Sequence, residues 1–188
     1  MSEITKKALA ASLKKLLSKN ELSKITISNI TNDCGVNRQT FYYHFKDVYD
    51  LLEWIYLNEV IQSMDEKDIY NTWQQGLLSI FEYILDNKEF VKNTYNSVSR
   101  EFFLRFIYKQ TAGLLMNIIE EKSKKLKVKE EDKKFIANFY KYGFVGIVQD
   151  WIENGMKENP NDIIEKLNSV IDGSFENALE NLDKTYKM

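Results

Sequence analysis

The sequence predicts an all-α fold, a three-helix head with a helix-turn-helix layout followed by a helical-bundle body. Three observations predict it. One proline and seven glycines in 188 residues are few punctuators, which favours long helices over many short strands. Apolar residues recur three and four apart in segment after segment. A hydrophobic fraction of 44% supplies the surface for a buried core, so composition does not point to disorder.

The first helix is expected over about residues 3–19, with Leu9, Leu13, Leu16 and Leu17 as its apolar stripe. The polar stretch Asn20–Lys24 stops it. A second helix starts after Thr26, an N-cap type, with Ile27, Ile30 and Cys34 on one side. Gly35 sits where a tight turn needs a residue tolerant of positive φ. A third helix follows Asn37 and runs to about Phe45, with Phe41 and Phe45 inward beside Val36. Two short helices around a glycine turn are the layout of a helix-turn-helix. A fourth helix begins at Asp47 and turns Val48, Leu51, Leu52 and Ile55 inward. A hinge is expected at Met64–Asp68. The head is bounded as residues 1–48 and the body as 49–188.

In the body, helices are expected at Tyr70–Asn87, Phe90–Tyr95, Ser97–Lys125, Glu130–Lys157 and Pro160–Leu182. Charge dominates Glu120–Lys134, which places a loop there. Pro160 is suited to the first position of its helix. The inward stripe of that helix reads Ile164, Leu167, Ile171, Phe175, Ala178 and Leu182. The body aromatics Trp73, Phe81, Tyr83, Phe90, Tyr95, Phe102, Phe103, Phe106, Tyr108, Phe139 and Tyr140 read chiefly as core.

Charge is unevenly spread. Residues 1–46 hold eight basic and three acidic groups, a net +5 within a chain of −2, so the remainder carries −7. A basic head on an acidic body is what a chain needs if only its head meets a polyanion; clustering on solvated helix faces is the alternative. A single cysteine, Cys34, excludes an intrachain disulfide and a cysteine-rich zinc site. It reads as a small packed residue on the second helix. A single histidine, His44, excludes multi-histidine metal centres and leaves few routes to general-base catalysis. No cofactor and no metal is expected, and an enzyme is not. Lys6, Lys7, Lys14 and Lys15 break up any apolar signal core near the start. The longest apolar stretch, around Tyr142–Val148, falls far short of the ~20 residues a membrane helix needs. A reduced, soluble, cytoplasmic protein is expected, with no membrane partner.

The informative segment is Gly35-Val36-Asn37-Arg38-Gln39-Thr40-Phe41-Tyr42-Tyr43-His44-Phe45-Lys46-Asp47. With Phe41 and Phe45 inward, Arg38, Gln39, Thr40, Tyr42, Tyr43 and His44 cover the other faces. Arg can bond guanine, Gln adenine, and a Thr methyl can pack on thymine. Tyr and His donors can reach phosphates, as can the free N–H groups at the helix start.

The pattern Thr26-Ile27-x-x-Ile30 … Gly35-Val36-Asn37-x-x-Thr40-Phe41-Tyr42-Tyr43-His44-Phe45-Lys46 resembles the DNA-binding head of TetR-family transcription regulators. The match spans about residues 5–60. The resemblance implies a homodimer with a recognition helix at Arg38–His44. Tyr42, Tyr43 and His44 would touch backbone or neighbouring bases, Lys46 a phosphate, and Thr26 and Ser28 would add contacts from the second helix. One departure stands out: many members carry a lysine at the position of Val48. The stretches Ile4–Ala10, Asp47–Trp54 and Tyr142–Met156 are similar to the branch that includes activators of dihydroxyacetone kinase operons.

The resemblance further implies a dimer seam. Gly143 and Gly146 each cost ~1 kcal/mol of helix propensity against Ala, which suggests the close approach of a second helix. With Ile164, Leu167, Ile171 and Phe175 they are the interface candidates; packing inside one chain is the alternative. Trp73, Phe103 and Tyr140 are the candidates to line an effector cavity. In the dihydroxyacetone branch a protein co-activator can carry the signal instead. The resulting expectation is a regulator acting as a homodimer on a palindromic operator in double-stranded DNA. A helical adaptor that docks only protein is the alternative.

Overall fold

The computed structural model describes residues 2–63, 72–97 and 100–187. Ten α-helices run through them: α1 Ser2–Leu17, α2 Ile27–Cys34, α3 Arg38–His44, α4 Val48–Ser63, α5 Trp73–Asp86, α6 Lys88–Tyr95, α7 Arg100–Ser123, α8 Glu130–Glu153, α9 Pro160–Ile171 and α10 Ser174–Lys187. A single 3-10 turn, Leu22–Lys24, lies between α1 and α2. The expected all-α class is the observed one. The expected hinge at Met64–Asp68 lies outside the described residues.

The chain divides into two compact units, Met1–Ser63 with Asp86–Phe106, and Met64–Leu85 with Ile107–Met188. In the first, α1 packs against α2, α3, α4 and α6. Leu9, Leu13 and Leu17 of α1 are buried with Ile30, Phe41, Phe45, Leu51, Leu52 and Ile55. Leu16 and Val36, both expected inward, are half-buried. Polar contacts help fix how the helices meet. Ser12 donates to the Ile30 carbonyl at 3.0 Å within the core. Asn93 of α6 donates to the Leu17 carbonyl at 2.5 Å, satisfying one of the carbonyls that the end of α1 leaves unpaired. Buried Thr94 turns its hydroxyl to the carbonyls of Phe90 and Val91, both at 3.0 Å. The Tyr56 hydroxyl therefore supplies the hydrogen it shares with Thr94 Oγ1.

In the second unit, Leu77, Phe81 and Ile84 of α5, Leu115 and Ile119 of α7, Phe144, Val145 and Val148 of α8, and Phe175 and Leu179 of α10 form the core. Trp73 meets Phe144 with ring centroids 5.2 Å apart, and Phe81 meets Trp151 edge-on at 4.9 Å. Gly76 allows close approach: a Cβ there would lie 2.5 and 2.7 Å from the two methyls of Leu114.

Three expectations need correction. The helix expected over Pro160–Leu182 is two helices, because Asp172 leaves helical geometry at ψ 127° and Gly173 turns left-handed at φ 68°. The break resets the register. Ile163, Leu167, Ile171, Phe175 and Leu179 are buried, whereas Ile164, Ala178 and Leu182 are half-buried. The helix expected to reach Lys157 ends at Glu153, where Gly155 and Met156 take positive φ and the Met156 N–H returns to the Trp151 carbonyl at 2.9 Å. Phe139, read as core, is 67% exposed on α8.

Candidate nucleic-acid interface

The short helices α2 and α3 are set by their first residues. Thr26 caps α2 reciprocally with Asn29: the Asn29 N–H donates to Thr26 Oγ1 at 3.2 Å, and the Thr26 N–H donates to Asn29 Oδ1 at 2.9 Å. Asn37 caps α3, its Oδ1 accepting the Thr40 N–H at 2.8 Å. Between them Gly35 takes φ 72°, which an L side chain adopts only with strain, and the Val36 N–H closes on the Thr31 carbonyl at 3.0 Å. The turn thus runs through the residue type the sequence reading assigned to it.

Phe41 and Phe45 pin α3 to the unit beneath it. Both are buried, and Phe45 lies edge-on to Trp54 at 5.9 Å. That anchoring decides which residues face out. Arg38, Gln39, Tyr42 and Tyr43 are exposed, Tyr43 by 82%, while Thr40 and His44 are half-buried. His44 packs edge-on against Tyr43 at 4.9 Å. Lys46 is exposed just beyond the helix, and Ser28 is half-buried on α2. The structure therefore brings Arg38, Gln39, Thr40, Tyr42, Tyr43 and His44 together on one seven-residue helix. A row of large polar side chains this open costs a monomer nothing to solvate and is ready to contact a partner.

The start of α4 is held by carboxylates on either side of Val48. Asp47 accepts the Asp50 N–H at 2.9 Å, and Asp50 accepts the Lys46 N–H at 2.8 Å. Two carboxylates thus hold main-chain N–H groups at the start of α4, and half-buried Val48 beside them offers no charge. Part of the head's positive charge is also committed internally. Lys15 of α1 binds Asp33 of α2 at 2.6 Å, and that hydrogen bond holds the Asp33 carboxyl below its ordinary range. Lys24 faces Glu21 at 3.4 Å. Burial pushes the Cys34 thiol up, as expected of a packed residue and not of a reactive thiolate.

The candidate body residues fall in different places. Gly143 is exposed and Gly146 half-buried, and a Cβ at either would meet nothing within 4 Å. Among the described residues, therefore, close packing inside one chain does not explain these two glycines. Leu167, Ile171 and Phe175 are already covered within the chain, and Ile164 is half-buried. The most exposed large apolar groups among the described body residues are Phe135, Phe139 and Tyr142 on α8 and Val170 on α9, exposed by 72%, 67%, 61% and 79%. The sequence reading missed Phe135 and Tyr142, although their spacing with Phe139 is helical. Of the effector candidates, Trp73 lines a cavity of about 390 Å³ with Gln74, Ile118, Lys122, Asn168 and Phe175. Tyr140 packs on Phe175 at 4.3 Å, and Phe103 is buried in the first unit against Tyr56 and Tyr95; neither lines that cavity. Among the described residues, no helix is long and apolar enough to cross a membrane.

Residues 71–173 match a TetR family described as "Transcriptional regulator C-terminal region". Over 172 residues the chain is 30% identical to the HTH-type dhaKLM operon transcriptional activator DhaS of Lactococcus lactis, covering 90% of this chain and 88% of that protein. The chain belongs to the TetR family of transcription regulators. Like its relatives it is a regulator and not an enzyme. A solved structure of the dihydroxyacetone kinase operon activator DhaS superposes with a TM-score of 0.70 at 27% identity, over 96% of this chain and 98% of that one. NalD, the secondary repressor of the MexAB-OprM multidrug efflux pump in Pseudomonas aeruginosa, superposes at 0.62 with 15% identity, over 91% of this chain and 96% of that one. AlkX, a TetR family repressor from a Dietzia strain, does so at 0.56 with 14% identity, over 92% of this chain and 95% of that one. These last two share the fold alone. The TetR resemblance read from residues 26–46 and the family match over 71–173 rest on different parts of the chain and agree.

Proposed function

We propose that this TetR regulator is a cytoplasmic, operon-specific activator that binds a palindromic site in double-stranded DNA as a homodimer. The observation that carries the reading is the open polar face of α3, held outward by buried Phe41 and Phe45. Residues 1–48 act as the DNA-binding head and 49–188 as the dimerising and sensing body. Two copies of α3 enter successive major grooves, about 34–36 Å apart. Arg38, Gln39 and Thr40 read bases, while Ser28, Tyr42, Tyr43, His44 and Lys46 meet the backbone or neighbouring bases. The net +5 of residues 1–46 supplies the salt-dependent part of the affinity.

The dimer seam in this reading is the outer face of α8. Phe135, Phe139 and Tyr142 form an exposed stripe that continues into open Gly143 and Gly146. Apolar groups of this size gathered on one helix face favour burial against a like face. The similarity to DhaS supports dihydroxyacetone metabolism as the controlled process. Control acts through a small ligand or a partner protein that prefers one spacing of the two heads; an effector binding both spacings equally changes nothing.

The test is a mobility-shift titration of the purified full chain against the DNA flanking its own gene, at two salt concentrations. A discrete shift that weakens steeply with salt supports the reading. No shift at low ionic strength, together with capture of a protein partner by the head, replaces it with an adaptor role.

A further inference from the structure

We infer that Thr40 reads its base pair through its methyl group and never by donating a hydrogen bond, because Asn37 takes its only hydroxyl hydrogen. The inference rests on α3 being the recognition helix and specifies what one of its side chains recognises: the edge of thymine.

The chemistry follows from two distances. Asn37 Oδ1 lies 2.8 Å from the Thr40 main-chain nitrogen and 3.0 Å from Thr40 Oγ1. A main-chain N–H can only donate, so the amide atom facing it must be the oxygen and not the NH2 group. That fixes the Asn37 amide orientation, which the side chain alone leaves ambiguous. With oxygen facing oxygen across 3.0 Å, the single hydrogen between them belongs to the threonine hydroxyl. The same arrangement recurs at the start of α2. There Asn29 Oδ1 accepts the Thr26 N–H at 2.9 Å and the Thr26 hydroxyl at 2.6 Å. Both threonines therefore spend their hydroxyl hydrogen inside the head, and a contact in which Thr26 donated that hydrogen to DNA would require breaking this bond to Asn29.

Thr40 is left with a methyl group and with an oxygen turned back toward Asn37. In the major groove, guanine presents only acceptors, and thymine presents a methyl group. A side chain with no hydrogen to give has nothing to offer guanine, whereas the methyl fits thymine. Asn37 is in this account a positioning residue: it sets what Thr40 can recognise without touching the base.

The experiment is enrichment of binding sites from a random duplex pool by the full chain and by Thr40→Val, Thr40→Ser, Asn37→Ala and Asn37→Asp. It is followed by affinity measurements in which deoxyuridine replaces thymidine at each enriched position. The wild type should lose about fourfold at one thymine per half-site when its 5-methyl is removed, the factor one buried methyl group supplies. Thr40→Val should keep that preference, and Thr40→Ser should lose both the preference and the sensitivity to deoxyuridine. Asn37→Ala, which frees the hydroxyl to rotate, should admit guanine there; Asn37→Asp, which keeps the acceptor, should exclude it. The uracil test uses unaltered protein, so it stands even where a variant folds poorly. A Thr40-dependent position occupied by guanine, or indifference to the thymine methyl at every position, overturns this inference while leaving DNA recognition by α3 intact. A pool from which the wild type enriches nothing overturns both.

Discussion

Two helical glycines, Gly76 and Gly113, offer a test of packing, because the same substitution meets different surroundings at each. At Gly76 an added Cβ would sit 2.5 and 2.7 Å from the methyls of Leu114 and 3.2 Å from its Cγ. Comfortable carbon contacts are about 3.5–4.0 Å, so roughly 1 Å must be found. Leu114 is only 3% exposed and cannot swing into solvent. Overpacking of this kind costs ~2 kcal/mol, and the helix propensity of alanine returns ~1 kcal/mol. Gly76→Ala should therefore lose about 1 kcal/mol net, lowering Tm by roughly 3 °C in a chain this size. Gly113, exposed on α7 with nothing within 4 Å, is the control. Gly113→Ala should gain up to ~1 kcal/mol. Leu114→Ala alone should cost ~2–5 kcal/mol, but in combination with Gly76→Ala the loss should be smaller than the sum, since the new methyl fills part of the cavity. Urea denaturation at fixed protein concentration measures all four. If Gly76→Ala proves as stabilising as Gly113→Ala, α5 and α7 do not approach as described.

Gly143→Leu should leave helix content unchanged, its surroundings being open within one chain, yet weaken self-association at least about tenfold by sedimentation equilibrium; undiminished association rejects the α8 seam. Arg38→Ala should cost ~1–3 kcal/mol on the selected site and relax specificity at one position. Lys46→Ala should instead weaken selected and random DNA alike and reduce the salt slope by about 1. Gly173→Ala, forced into φ 68° between α9 and α10, should lose ~1–2 kcal/mol in thermal unfolding. The Glu176 carboxyl is held below its ordinary value of 4.5 by the hydrogen bond from Lys122, against burial. A depressed folded-state value means this contribution is complete above the ordinary carboxylate range and fades as pH falls through the lowered one. Urea midpoints followed from neutral pH into acid should show less acid-side loss in Lys122→Met, and an unchanged acid profile would discount the pair.

Local chemistry made the head legible. Thr26, Gly35 and Asn37 are cap and turn residues whose side-chain or backbone preferences act within three or four positions, and Phe41 and Phe45 sit one helical turn apart. Residue type and spacing alone were enough to place α2, the turn and α3, and to bring the polar face of α3 into view. The break at Asp172-Gly173 was equally local but was overridden by the apolar stripe running through it; a glycine after an aspartate carried more information than the periodicity around it.

What the sequence could not decide were questions of who packs against whom. An aromatic at helical spacing looks the same whether it enters a core, as Phe144 does, or stays open, as Phe139 does. A helical glycine looks the same whether it receives a neighbour, as Gly76 does, or receives none, as Gly143 does. Nor can a sequence show that the Thr40 hydroxyl points back at Asn37. Caps and turns depend on a few adjacent residues and are written into the chain. Burial, close approach and the direction of a hydroxyl hydrogen depend on which distant surfaces meet, and only the folded arrangement fixes those.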